Sequence, residues 1–167
     1  EGAVRRRAAR ALELGVGGFV IFGGDSEMVA TRVSEWRDAV RHRLWITSDL
    51  ERGPGQQFEG LPELPPPAGL AACPDPVAAA SSAGRLTARG ARAVGIDLVL
   101  APVLDLDHFP DQNNGLRGRC WGNDSQDVIN KAGVFNRWMR KQRILSCGKH
   151  FPTSGLALSD PHHDLPV

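Results

Sequence analysis

Four short apolar runs constrain this chain more than anything else in it. GGFVIFGG at 17–24, LWITSD at 44–49, IDLVLAPVLDLD at 96–107 and ILSCGKHF at 144–151 each follow a segment of helical periodicity, and each runs out into glycine, proline or polar residues. The helical segments are AVRRRAARALEL at 3–14, closed by Gly15, DSEMVATRVSEWRDAVRHR at 25–43, PDPVAAASSAGRLTARGARAVG at 74–95, and QDVINKAGVFNRWMRKQR at 126–143. The first places Val4, Ala8, Ala11, Leu12 and Leu14 near helical spacing, and the second puts Met28, Val29, Val33, Trp36 and Val40 on one side. Unbroken apolar runs of strand length fit parallel strands buried on both faces. Helices alternating with such strands pair them in parallel through right-handed crossovers, which makes an α/β fold. Polar residues gathered at the C-terminal ends of the strands suit both an open doubly wound sheet and a (β/α)8 barrel. No G-x-G-x-x-G follows a strand, which weakens the dinucleotide-binding version. The glycines of GVGGF precede a strand and read as a helix stop.

The 167 residues suffice for one domain that buries about 70% of the surface its unfolded form exposes. With 20 basic and 19 acidic residues the net charge is +1, and RRRAAR near the start reads as the solvated face of a helix. Nucleic acid is therefore not an expected partner. No apolar run approaches the ~20 residues of a membrane span, and no signal peptide opens the chain, so a soluble protein without a membrane span is expected. Cys73, Cys120 and Cys147 are odd in number and contain no C-x-x-C. That argues against a disulfide framework or zinc knuckle and for a reducing, cytoplasmic location. No cofactor is expected.

The candidate site lies where the strands end. Two long loops, 50–67 and 108–125, are rich in glycine and proline, and loops of that length in a compact domain are usually functional. If the strands are parallel and adjacent, Asp49, Asp105, Arg119, Lys149 and His150 point to one rim. They can hydrogen-bond hydroxyls, carry both signs of charge and lack metal-like spacing, so a polar ligand is expected. Plainer roles exist for most of them. Asp49 could cap a loop, Asp105 and Asp107 could order the loop that follows, and Arg119 could pair with either of those two. Lys149 and His150 close an apolar strand and call for something to bind. In the final loop Asp160 and His162 lie two apart, so a carboxylate can orient the imidazole, as a histidine general acid or base requires. The plain alternative is an Asx turn beside Pro161, with His162 and His163 solvated.

GVGGFVIFGG, TSDLERGPGQQF, APVLDLD, GRCWGND and above all GKHFPTSGLALSDPHHDLP resemble, in order, segments of the bacterial β-N-acetylglucosaminidases (β-hexosaminidases) of glycoside hydrolase family 3. The resemblance implies that residues 1–167 form a single, partial N-terminal (β/α)8 barrel domain of about four parallel βα units. It implies retaining hydrolysis of terminal N-acetylglucosamine from peptidoglycan fragments, a carbohydrate substrate and no cofactor. By the same resemblance Asp49, Arg119, Lys149 and His150 hold the sugar, and His162, oriented by Asp160, is the acid/base. The nucleophile would be an aspartate on a later strand, outside this chain, supplied by a missing half of the barrel or by a partner chain.

The chain also departs from the pattern. Thr153, Ser154, Gly155 and Leu156 stand where the family has Gly-His-Gly-Asp after Phe-Pro, Pro161 separates Asp160 from His162, and Gln57 replaces an arginine eight residues past Asp49. These changes bear on affinity and loop movement. They keep an alternative open: a catalytically degenerate half-barrel that acts as a binding or structural subunit of a larger assembly.

Overall fold

The computed structural model describes residues 2–160, 162 and 163. Elements follow in the order α1 (Gly2–Glu13), β1 (Gly18–Val20), α2 (Ser26–Asp38), β2 (Trp45–Ser48), a 3-10 turn (Pro54–Gln56), α3 (Pro67–Ala71), α4 (Pro76–Val94), β3 (Leu98–Val99), α5 (Ser125–Lys141) and β4 (Leu145–Ser146). The four strands form one parallel sheet in the order β1-β2-β3-β4. Phe19 lies opposite Ile46, Ser48 opposite Val99, and Val99 opposite Ser146.

Local chemistry explains the helix starts. Asp25, Asp75 and Asp124 are N-caps whose carboxylates accept from the backbone N–H groups of Met28, Ala78, and both Gln126 and Asp127. Pro76 occupies the first turn of α4, where its missing donor is not needed. α4 buries Ala80, Ala83, Gly84, Thr87, Ala88, Ala91 and Val94, a stripe at helical spacing. Opposite it α5 buries Val128, Ala132, Phe135 and Met139. The two helices cross where Gly84 meets Phe135: an added Cβ would sit 2.6 Å from the Phe135 carbonyl oxygen. Ile46, Val94, Ile96, Val99, Trp121, Phe135 and Met139 belong to one continuous core beneath the sheet.

The strands are shorter than the apolar runs that predict them. In IDLVLAPVLDLD the ladder stops after Val99 because Pro102 has no N–H to donate. It resumes beyond the proline as a bridge between Val103 and Lys149, with the Lys149 N–H donating to the Pro102 carbonyl and the Leu104 N–H to Lys149. That second stretch carries Lys149 to within reach of the residues that follow β2 and β3. Two further differences concern elements. The 50–67 loop holds the 3-10 turn and runs into the short helix α3, both started by prolines that a composition argument reads as breakers. The apolar stripe expected of α1 buries only Ala8, while Val4 and Leu14 are exposed.

Candidate functional site

β2 ends at Ser48, and the chain turns at Glu51 and Arg52 just beyond it. Leu50 turns into the core and is fully buried, with Asp49 and Glu51 on either side of it in the chain. The Lys149 ammonium sits between them, with Nζ 2.5 Å from Asp49 Oδ1 and 2.7 Å from Glu51 Oε1. Arg119 grips the same Glu51 with both arms of its fork, Nη2 donating to Oε1 at 2.8 Å and Nε to Oε2 at 2.9 Å, the bidentate geometry that favours arginine over lysine. Its Nη1 donates to the Gly115 carbonyl at 2.7 Å. Burial pushes the Glu51 carboxyl up, but hydrogen bonds from Arg119 and then Lys149 outweigh it and hold the group below the usual carboxylate range. Two carboxylates and two cations thus form one compensated cluster. Asp49 and Lys149 remain partly open to solvent, so their unused donor and acceptor sites can meet a hydroxyl-rich ligand.

Beside this cluster, Asp105 is buried and satisfies four donors. Its Oδ2 accepts from the backbone N–H of His150 at 2.9 Å and from His150 Nδ1 at 2.6 Å. Its Oδ1 accepts from the Thr153 hydroxyl at 2.7 Å and from the Ser154 N–H at 2.6 Å. Burial raises the Asp105 pKa, whereas the bonds from His150, Thr153 and Ser154 lower it, and the net shift is downward. A carboxylate facing Nδ1 assigns the ring proton to that nitrogen, leaving Nε2 of His150 as the free acceptor. Asp105, His108, Lys149, His150 and Thr153 contribute to a cleft of about 390 Å³ at the end of the sheet. The same environment acts on Cys120, whose thiol is pushed up to about 12, first by burial and then by Asp107 and Asp105. It is an inert, packed thiol.

In the final loop Asp160 Oδ1 lies 2.6 Å from His162 Nδ1 and accepts the His162 backbone N–H at 3.0 Å. The carboxylate–imidazole pair and the Asx turn, which the spacing leaves as alternatives, therefore coexist. The pKa of Asp160 is lowered, first by the His162 N–H and then by its ring. His162 Nε2 is left free on an exposed ring. Pro161, and the Leu165-Pro166 that ends the motif, lie outside the described residues.

The structure brings Asp49, Arg119 and Lys149 together and sets His150 next to them, with Asp160 and His162 joined on the neighbouring loop. Arg119 pairs with Glu51 and not with Asp105 or Asp107, the partners offered by the sequence. Asp105 does not merely order its own loop: it ties β3 to the residues after β4. Gln57 accepts the Gly23 N–H at 3.0 Å, a structural contact. Glu51 is the residue sequence reasoning misses; with the buried Leu50 between them, Asp49 and Glu51 both face Lys149. Among the described residues no group of three or more His, Cys, Asp or Glu side chains could hold a metal ion. No helix among them is long and apolar enough to cross a membrane.

Comparison with known proteins places this geometry. Residues 4–167 match the glycosyl hydrolase family 3 N-terminal domain. A β-hexosaminidase of Pseudomonas aeruginosa is 36% identical over 155 residues, which are 90% of this chain and 46% of that protein. The crystal structure of NagZ from Neisseria gonorrhoeae in complex with N-trifluoroacetyl-D-glucosamine superimposes with a TM-score of 0.84 at 30% identity, covering 96% of this chain and 50% of the other. A family 3 β-N-acetylglucosaminidase from a Paenibacillus strain gives a TM-score of 0.86 at 27% identity, covering 95% and 32%. This chain spans about half the length of the curated relatives it matches. Its four parallel strands are part of a barrel.

Proposed function

The chain belongs to glycosyl hydrolase family 3, and on that premise we propose that these residues form the sugar-holding and proton-donating part of a retaining β-N-acetylglucosaminidase that acts on peptidoglycan fragments in the cytoplasm. The observation that carries the reading is the pairing of a charge-compensated Asp49/Glu51/Arg119/Lys149 cluster with a separate histidine held by a carboxylate. The first is suited to fixing a neutral polyol, and the second to moving a proton. Asp49, Arg119, Lys149 and His150 Nε2 hydrogen-bond the hydroxyls and acetamido group of the terminal sugar. His162, kept in the Nδ1–H tautomer by Asp160, presents Nε2 to the glycosidic oxygen. As an imidazolium it protonates the leaving oxygen, and as the neutral ring it then takes a proton from water. Retention needs a nucleophile on the opposite face of the sugar, and we assign that role to an aspartate outside these residues.

The test is release of N-acetylglucosamine by protein containing these residues together with the rest of the barrel, with the β-glucoside as comparison substrate. His162→Ala is expected to slow turnover by about 10²–10⁴-fold on aglycones that must be protonated to leave, and far less on nitrophenolate. An unchanged rate on both removes His162 from the mechanism.

A second reading has its own observation: both outer edges of the sheet carry exposed apolar side chains. In it, the chain is a degenerate half-barrel that binds or supports a partner. Sugar binding without turnover in an assembly whose strands are all present would select this reading.

A further inference from the structure

The segment 114–119 touches both halves of the site, and we infer that it is the seat of the Asp160/His162 pair, with Gly115 as the contact and Arg119 as the positioning residue behind it. The inference builds on the proton-transfer role proposed for His162 but stands on contacts alone. Three of them join the segment to the final loop or hold it in place. Asn114 Nδ2 donates to the Ala157 carbonyl at 3.1 Å, while its Oδ1 accepts the Leu116 N–H at 3.1 Å. Asn114 is itself buried. Gly115, left-handed at φ 78°, leaves room for the Asp160 carboxylate, since a Cβ there would lie 2.9 Å from Asp160 Oδ1. That same oxygen receives His162 Nδ1. Finally, the Gly115 carbonyl is held by Nη1 of Arg119, whose Nε and Nη2 donate to the buried Glu51.

The chain of contacts therefore runs from Lys149 and Glu51 through Arg119 and Gly115 to Asp160 and His162. The cation that compensates Glu51 in the sugar cluster also fixes the turn on which the acid/base pair rests. A side chain at 115 enters the space of the very oxygen that sets the imidazole tautomer. Displacement of Asp160 releases His162 without touching Asp49, Lys149 or His150.

The matched control is Gly118, left-handed at φ 76° like Gly115, where a Cβ finds nothing nearer than the Pro66 Cβ at 3.9 Å. The two alanine variants thus carry the same kind of backbone strain and differ in the contact with Asp160. The experiment compares Gly115→Ala, Gly118→Ala and Asn114→Ala by the ¹⁵N shifts of the His162 imidazole nitrogens, read through the carbon-bound ring protons above its titration. Dispersion of the amide spectrum verifies the fold of each. The wild type and Gly118→Ala are expected to hold the Nδ1–H tautomer, and Gly115→Ala to move to the Nε2–H form of a free imidazole, with Asn114→Ala between them. In barrel-complete protein, Gly115→Ala should lower kcat by up to about 10²-fold with KM unchanged, the signature of a misplaced proton donor and an intact sugar cluster. An unmoved tautomer in Gly115→Ala, or an equal change in Gly118→Ala, overturns the inference. Should no protein release N-acetylglucosamine, the glycosidase reading falls while the tautomer comparison still decides this one.

Discussion

Glu51 accepts hydrogen bonds from two cations while its side chain is only 6% exposed, so its charge is both costly to bury and needed where it is. Glu51→Gln keeps the shape and leaves Lys149 and Arg119 without their shared anion, at a cost of about 3 kcal/mol. The pH dependence follows from the sign of the shift. A carboxyl whose folded pKa lies below its unfolded value contributes stability above the unfolded value and loses it as pH falls through the folded one. For Glu51 that window opens below 4.5, and for Asp105 below 3.8. Thermal melts from about pH 7 to pH 3 should show wild-type Tm falling below pH 4.5, with Glu51→Gln starting lower and falling less steeply there. Parallel curves would mean that Glu51 is not ionised against its partners. The sequence places Asp49 and Lys149 at the rim because each directly follows an apolar run. It does not reveal the partner of Arg119, because that arginine lies in a loop, 68 positions from Glu51, and nothing local specifies which acid it meets.

Helices are the elements the sequence shows best, since Asp25, Asp75 and Asp124 cap them and the apolar stripes of α4 and α5 persist for several turns. Strand lengths are legible only where the ladder is known: Pro102 divides one apolar run into two pieces, and the second piece pairs with Lys149. α3 is hidden because prolines at a helix start look the same as prolines in a loop. The packing of α4 on α5 makes a contrast between two glycines. Helix propensity alone favours alanine over glycine by about 1 kcal/mol inside a helix. At Gly133 in α5 nothing lies within 4 Å of an added Cβ, so Gly133→Ala should gain most of that amount. At Gly84 the Cβ would press on the Phe135 backbone, 2.6 Å from its carbonyl oxygen, so overpacking of about 1–3 kcal/mol outweighs the propensity gain. Urea midpoints should therefore move in opposite directions for the two variants. A rise for Gly84→Ala would show that the helices can part there without cost.

At the scale of the molecule, the sheet has two outer edges, one along β1 and one along β4. Val20 is 52% exposed on the first, and Leu145 49% and Phe151 99% on the second. Against β1 an apolar cleft of about 890 Å³ opens between α1 and α2, lined by Val4, Ala8, Phe19, Ile21, Phe22 and Met28. Parallel sheets of this class are covered on both faces and closed or shielded at their edges, so unpaired N–H and C=O rows flanked by apolar side chains seek another strand. The residue arrangement at the site depends on the inward pairing of the segment after β4, through the Val103–Lys149 bridge and the Asp105 bonds, and not on the unpaired outer side of either edge strand. Edge charges should accordingly alter association while sparing the site. A polypeptide of these residues should self-associate in sedimentation and bind an apolar dye, and Val20→Lys together with Leu145→Lys should reduce both while leaving the imidazole tautomers of His150 and His162 unchanged. A wild-type chain that is monomeric and dye-silent would mean that the edges are closed by contacts within the chain. Loss of the His150 tautomer in the edge variant would mean that the site needs those edges intact.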